Sequence, residues 1–488
     1  MATAQLEQQQ LLIGGEWKGA SSDSVFEQQD PFTDEAVGVV AAASREDAKA
    51  AADAAGEAFG AWAATPPSER RELLNKAAQL LGERAQEIAA TMTAETGSTF
   101  GFGMFNVGLA TQMLQHAAAQ AYAVTGEVIP SDVPGLTAMG LRQPAGVVVG
   151  IAPWNAPVIL GTRSVATPLA YGNTVILKAS EHSPRTHGAI ARALDDAGLP
   201  PGTINLITHE AEAAPDVVDE LIAHPAVRRI NFTGSSRVGR LVAENAARHL
   251  KRVLLELGGK APMIVLADAD LDEAVEAAKF GSFMHTGQIC MATERLVVDS
   301  SVAEPFTEKL AERAAALRVG DPHDPETQIG PLFNDAATKR VSELVEDAVS
   351  QGAEVVTGGE ADGKLFPPTV LKGVTPQMRI YYEESFGPVI PVIPVDGPDE
   401  AVKVANDTEY GLAAAVFGKH VPTALDIARQ IESGICHVNG ATVHDEAQMP
   451  FGGVKASGWG RFGGNAALEE FTELRWITIQ QGSRHYPI

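Results

Sequence analysis

The chain has 488 residues, more than one hydrophobic core holds, so two or more domains are expected. Its hydrophobic fraction of 45% and charged fraction of 20% are those of an ordinary soluble globular protein. A formal net charge of -25 argues against nucleic acid or an anionic membrane as partner, and two cysteines build no disulfide framework, which fits a reduced, cytoplasmic setting.

The opening MATAQLEQQQLLIGGEW has neither the basic start nor the long apolar run of a secretory signal, and no later run reaches transmembrane length. Its first 16 residues are expected to be partly disordered. From about 45 to 125 the chain reads as helices. SREDAKAAADAAGEAFGAWAA and PSERRELLNKAAQLLGERAQEIAATMTAETG carry Ser caps and apolar residues three and four apart, a pattern that should cover one face of a sheet. Glu127 to Arg142 reads as an extended excursion.

Between 146 and 257, β-branched runs alternate with helical stretches: VVVGIAP, Val158 to Tyr171, TVILKAS, Pro184 to Ala197, TINLIT, Asp216 to Ala223, RRINFTGS, Ser235 to His249 and VLLEL. Five strands with four crossovers predict an open parallel sheet wound with helices. Such sheets bind ligands beyond the carboxyl ends of their strands. Trp154, Asn155, Lys178, Glu181, Thr233 to Ser235 and Glu256 all follow strands at that edge. A second alternation starts at LADADLDEAVEAAKFGSF and runs to ICHVNG, with RLVVDS, PPTVLKGV, GPVIPVIPVD and AAAVFG as strands, and predicts a separate α/β domain carrying Cys290. The C-terminal FTELRWITIQQ also reads as a strand, and with 127 to 142 it predicts a small arm that pairs with another subunit.

Two residues are out of place as core. Cys290 sits in MHTGQICMATER, a small-residue loop between helix and strand, and Glu256 ends an apolar strand, where a lone carboxylate is costly to bury. Together they point to covalent catalysis with base-assisted release. Cys436, inside the apolar ICHVNG, is read as a core residue. FTGSSRVG at 232 to 239 is a strand-to-helix turn able to present N–H groups to a phosphate, but it is neither GxGxxG nor a Walker loop and is weak alone. Lys178 and Glu181 read either as a solvated loop pair or as ribose-binding groups, with the carboxylate disfavouring a 2′-phosphate. DADLDE at 268 to 273 lacks the Gly and the final Glu of a calcium loop and reads as helix caps, and no HExxH or paired Cys/His spacing suggests a metal. No GxSxG is present.

Seven motifs then stand in order: APWN at 152 to 155, LKASE at 177 to 181, FTGS at 232 to 235, LELGGK at 255 to 260, GQIC at 287 to 290, EESFGP at 383 to 388 and PFGGVKASGWGR at 450 to 461. With them the chain resembles the NAD(P)-dependent aldehyde dehydrogenases over nearly its whole length. The resemblance implies an α/β fold class: a Rossmann-like coenzyme domain with an open parallel sheet (1–125 and 145–257), a second α/β catalytic domain (258–455) and a small β oligomerisation arm (126–144 and 471–488). It also implies a homodimer or homotetramer.

Carried over by position, Cys290 is the nucleophile, Glu256 the general base and Asn155 an oxyanion donor beside the Cys290 N–H. Lys178 joins them in the expected catalytic set. The coenzyme set is Ala152, Pro153, Trp154, Asn155, Lys178, Ser180, Glu181, Thr233, Gly234, Ser235, Gly239, Leu257, Gly258, Glu384 and Phe386, with NAD favoured over NADP because of Glu181. The implied chemistry is addition of the thiolate to an aldehyde, hydride transfer from the thiohemiacetal and hydrolysis of the thioester, with oxyanion donors worth ~3 kcal/mol each. Ala156 and Arg163 stand where many aliphatic-aldehyde members carry large aromatics, and the Cys290 flanks, VHDEAQMPFGG and GWGRFGG are similar to the benzaldehyde, salicylaldehyde and vanillin dehydrogenase branch. An aromatic aldehyde is therefore the expected substrate, with Phe102, Phe105, Asn106, Arg163, Ile289, Met291, His444 and Asp445 as pocket residues. An arginine there can stack on a ring or donate to its hydroxyl. The alternatives are an aliphatic or other small aldehyde, a CoA-acylating dehydrogenase, a cysteine-dependent thioester or ester hydrolase and a non-catalytic scaffold.

Overall fold

The computed structural model describes residues 8–488. Five apolar segments form parallel strands: β1 (Val147–Ile151), β2 (Thr174–Lys178), β3 (Ile204–Ile207), β4 (Val227–Thr233) and β5 (Arg252–Glu256). Every residue of β1 and β2 is buried, because a parallel sheet is covered by helices on both faces. Their spatial order is β5-β4-β1-β2-β3, so the chain moves outward from β1 first one way and then the other. The carboxyl ends of β1 and β4 thus flank the switch point where such sheets leave a crevice.

Four helices precede this sheet: α1 (Arg45–Ala64), α2 (Pro67–Glu83), α3 (Ala85–Thr96) and α4 (Phe100–Gln120). Ser44 caps α1 in a capping box with Asp47, and the small face of Ala48, Ala51, Ala52 and Ala55 lets α1 lie close to the strands. The expected sheet cover is otherwise corrected. α2 to α4 pack mainly on α5 (Pro157–Ala170) and α6 (Pro184–Ala197), as a layer outside them. Ser68 is also not a cap, since α2 starts on Pro66 and Pro67, whose fixed φ needs no side-chain acceptor. Two more helices, α7 (Ala214–Ala223) and α8 (Ser236–Arg248), complete the crossovers.

Short antiparallel edges extend the sheet beyond the five expected strands: Leu11–Ile13 and Glu16–Lys18 on the β3 side, Gly458–Trp459 on the β5 side. The disorder expected for the first 16 residues is therefore corrected from Gln8 onward, and residues 1–7 lie outside the described part.

The second sheet has seven strands and starts one strand earlier than expected, with β6 (Ala261–Val265) directly after the LELGGK turn. β6 and β7 (Thr293–Asp299) are its centre, and alternate side chains such as Met263 and Ile264 feed the cores on its two faces. α9 (Leu271–Phe283) connects them, capped by Asp270 as the DADLDE reading requires. Cys436 lies in the edge strand Ile435–Val438, half-buried and packed against the core on one face of this sheet. A third sheet joins Gly126–Ile129, Leu136–Pro144 and Thr472–Gln480 in antiparallel pairing. Among the described residues no helix is long and apolar enough to cross a membrane.

Candidate active site

The loop bearing Cys290 is held by its backbone. After α9 the turn Met284–Gly287 puts His285, Thr286 and Gly287 in the left-handed region, with φ of 49°, 58° and 71°. For the two non-glycine residues that costs ~1–2 kcal/mol each. Neighbours offset it: Thr286 Oγ1 donates to the Gly330 carbonyl at 3.0 Å, and the His285 ring stacks on Phe102 with centroids 4.4 Å apart. Gly287 cannot be replaced, since a Cβ would lie 2.3 Å from the Gly387 carbonyl oxygen. Buried Gln288 then fastens the far side, accepting from the Phe333 N–H at 2.9 Å.

Asn155, directly after the APW turn that follows β1, donates from Nδ2 to the Gln288 carbonyl at 2.9 Å. An amide nitrogen has two hydrogens, so one orients the group and the second is left for a ligand. Glu256, the last residue of β5, is 1% exposed, and among the described residues neither carboxyl oxygen has a regular hydrogen-bond partner. Burial pushes its pKa up to about 7, opposed by the neighbouring Cys290 thiol and by Arg163. Burial, with the Glu256 carboxylate next and Glu384 further off, also pushes the Cys290 thiol up. Each group thus favours its neutral form, and the thiol and the carboxyl are neighbours. Cys436 makes the contrast: burial alone pushes it up to about 11, with no base beside it.

Both groups open onto a cleft of about 350 Å³ at the switch point. Pro153, Trp154 and Asn155 enter it after β1; Thr233 at the end of β4, with Gly234 and Ser235 following; Gly258 after β5; Glu384 and Phe386 come from the second sheet's side. Ser235 is the N-cap of α8, so the positive end of a 13-residue helix faces the cleft. Lys178 and Glu181 stand further along the edge, Nζ and Oε2 3.9 Å apart. Burial acts to raise the Glu181 carboxyl, but Lys178 and His182 outweigh it and hold it below its ordinary value. A helix N-terminus, a buried ammonium and an ionised carboxylate along one parallel edge fit a dinucleotide.

Several expected residues do not line the cleft. Lys178, Ser180 and Glu181 are not among its lining residues, and Ala152 is buried without lining it. Gly239 and Leu257 pack on each other: a Cβ at 239 would stand 2.5 Å from Leu257 Cδ2. The expected substrate set scatters too. Phe105 is largely exposed, His444 is exposed and bonded to Glu446, and Asn106 is buried with its amide on the Phe102 carbonyl of its own helix. Arg163 is not free for a ring: it is paired with Asp445 and lies 4.1 Å from the Phe451 centroid. Phe102 is buried and stacks on His285; Ile289 and Met291 are buried beside Cys290.

The sequence reading missed Gln288, Phe333, Arg340 and the ion pair of Lys260 with Glu294. That pair is buried, with Nζ and Oε2 2.7 Å apart, and Glu294 also accepts from Ser385 Oγ at 2.9 Å and the Phe386 N–H at 3.0 Å. It ties the loop of Glu384 and Phe386 to β7, four residues after Cys290. A carboxylate inside the apolar TERLVVD was the available signal, the same one that exposed Glu256. Glu384 is anchored separately, accepting from the Gly259 N–H at 2.8 Å. Lys260→Met strands the Glu294 charge in the interior and is expected to cost about 3–5 kcal/mol, read as a lower urea midpoint. An unchanged midpoint would refute the brace.

The aldehyde dehydrogenase family model matches residues 17–477. The chain is 57% identical to a vanillin dehydrogenase of Pseudomonas sp. (98% of this chain, 99% of that one) and 43% identical to an NAD(+) benzaldehyde dehydrogenase of Pseudomonas putida (94% of each). A crystal structure of a salicylaldehyde dehydrogenase from Pseudomonas putida complexed with salicylaldehyde superposes with a TM-score of 0.97 at 44% identity, over 99% of this chain and 100% of that one. With a thiol, a buried carboxylate and an oriented amide meeting at the switch point of a parallel sheet, and with matches of this extent, the chain belongs to the aldehyde dehydrogenase family.

Proposed function

We propose that the protein oxidises aromatic aldehydes to carboxylic acids with NAD, through a covalent intermediate on Cys290. The observation that carries the reading is the meeting of Cys290, Glu256 and Asn155 in one cleft at the carboxyl edge of the sheet. Glu256 takes the thiol proton. The sulfur adds to the aldehyde carbon, the carbonyl π pair moves onto oxygen, and the Asn155 amide and the Cys290 N–H stabilise the charge that develops there. A nicotinamide dinucleotide, when bound, supplies the hydride acceptor. Glu256 gives the thiol proton to solvent and, as the carboxylate again, takes a proton from water; the hydroxide adds to the thioester, and the C–S bond breaks to release the acid and the thiolate. In this assignment the α8 N-terminus with Gly234 and Ser235 holds the pyrophosphate, Lys178 and Glu181 the adenosine ribose, and Glu384 the nicotinamide ribose.

The aromatic preference is supported by the named substrates of the relatives and by an apolar cluster of Leu109, Met113, Ile159 and Leu160, with Ala156 and Ala447 against it. Leu160 also lines the cleft that holds Cys290, so the cluster continues from the thiol as a wall for a ring. Burying a ring there is worth ~1.5–3 kcal/mol, so benzaldehyde, salicylaldehyde or vanillin is expected to exceed short aliphatic aldehydes about tenfold or more in kcat/KM. NADH formation across such a panel, repeated with NADP, checks this. NAD should be preferred, because Glu181 repels a 2′-phosphate. An aliphatic aldehyde ahead of all three aromatics would overturn the substrate assignment.

The domain limits drawn from the sequence belong to the same reading, with the third sheet as the oligomerisation arm. Val128 and Trp476, each 75% exposed, and Leu474 at 66% give that sheet apolar surface suited to a second copy. Two free cysteines and the acidic surface support a cytoplasmic site of action.

A further inference from the structure

A buried ion pair closes a ring of contacts around the nucleophile. On one side of Cys290, the Gln288 carbonyl accepts from Asn155 at 2.9 Å. On the other side, the Met291 carbonyl accepts from Thr442 Oγ1 at 2.7 Å, and Thr442 also meets Thr293 Oγ1 at 2.9 Å. Three residues further, Asp445 pairs with Arg163 in the middle of α5. That helix begins just after Asn155, so the path returns to its start. Of these links only Arg163 with Asp445 is ionic, and it is sealed from water, with side chains 6% and 8% exposed and Phe451 under the guanidinium.

The pair also belongs to the charge environment of the reacting groups. Glu256 faces Cys290, Arg163 and Asp445; Cys290 faces Glu256, Arg163 and Glu384; Asp445 is faced by Arg163 and His444. The guanidinium favours the ionised carboxylate and the thiolate, and at Glu256 the Asp445 carboxylate opposes it. An unpaired charge of either sign here would bias the proton that Glu256 must accept and give back.

We propose that the Arg163 and Asp445 pair is a positioning device for the catalytic couple: it holds the Asn155 amide and Cys290 in register, and Asp445 offsets at Glu256 the charge that Arg163 brings. The proposal rests on Cys290 as nucleophile and Glu256 as base. It assigns Arg163 to the protein's own loop at 442 to 453 instead of to a substrate ring, since Asp445 and Phe451 already occupy the guanidinium.

The test is a charge cycle in the intact enzyme: Arg163→Met, Asp445→Asn and the double variant. The readouts are the pH dependence of kcat/KM with NAD and the pH dependence of Cys290 alkylation by iodoacetamide. Asp445→Asn leaves an unbalanced guanidinium and is expected to move the acidic limb down by about one pH unit; Arg163→Met leaves an unbalanced carboxylate and moves it up by about as much. The double variant returns the limb to the wild-type position while kcat stays roughly tenfold low, because the ring is still open. Limbs that coincide in all four proteins, or that move the same way in both single variants, would overturn the proposal. If a single variant does not fold, Arg163→Lys keeps the charge without the planar fork: an unmoved limb with lowered kcat supports the device, and an unmoved limb with unchanged kcat refutes it. Cys290→Ala separates the two layers. If it still oxidises aldehydes the nucleophile assignment fails, and if it is inactive while the limbs coincide only the positioning role fails.

Discussion

Cys290→Ala is expected to fold, to bind NAD and to lose aldehyde oxidation, with kcat lower by roughly four orders of magnitude or more in an NADH absorbance assay. The magnitude follows from what is removed. Without the thiol there is no thiohemiacetal, and the oxyanion donors have nothing to stabilise. Cys436 cannot substitute, because it lies in the far edge strand of the second sheet and burial holds its thiol protonated, pushed up to about 11. Calorimetric titration with NAD checks that the dinucleotide edge is intact. Residual kcat above about a hundredth of wild type would contradict the covalent route.

Glu256→Gln has the second largest expected effect, and it acts in two directions. Activity falls by about 10²–10⁴-fold, because neither the thiol nor the hydrolytic water retains its base. Stability at neutral and higher pH rises. In the folded protein the Glu256 pKa is pushed up to about 7, while the unfolded chain keeps the ordinary value of 4.5, so the folded state binds more protons between these limits. The wild type is therefore fully stable with respect to this group below pH 4.5 and loses that stability as pH rises through 7. Glutamine has no such loss. By about pH 8 the variant should be more stable by ~3 kcal/mol, with a higher apparent Tm, and the advantage should vanish near pH 4.5. A variant Tm equal to or below wild type at pH 8 would mean that Glu256 is not held as an unsatisfied charge. The carboxylate trades stability for function in the usual manner of a catalytic group.

How far the sequence carried depends on the physics of each part. The five central strands and the helices between them were legible because strands buried on both faces need unbroken β-branched runs, and the intervening helices show caps and apolar periodicity. Leu11–Ile13, Glu16–Lys18 and Gly458–Trp459 were not, since strands of two or three residues have no period and exist only through the edges they join. At the site, Cys290 and Glu256 were legible as chemical misfits in apolar surroundings. The pairing of Arg163 with Asp445 spans 282 positions, and nothing local to either residue announces the other. Reading Arg163 as a ring-binding residue was reasonable for a lone guanidinium near a pocket, but it left out Asp445 and Phe451, both of which lie against it. Gln288 stayed hidden for a related reason, as its task of holding the turn and orienting Asn155 lies in the three-dimensional path of the loop.

The central claim is that the oxidised substrate passes through an acyl group on Cys290 and that Glu256 releases it. Intact-protein mass spectrometry of Glu256→Gln, quenched in acid during turnover of vanillin with NAD, tests it most directly. The predicted result is a mass increase equal to the vanilloyl group, mapping to the peptide that contains Cys290 and absent when Cys290 is also replaced by Ala. An unmodified protein after a burst of NADH equal to the enzyme, or an adduct that persists in the Cys290→Ala background, would contradict the account.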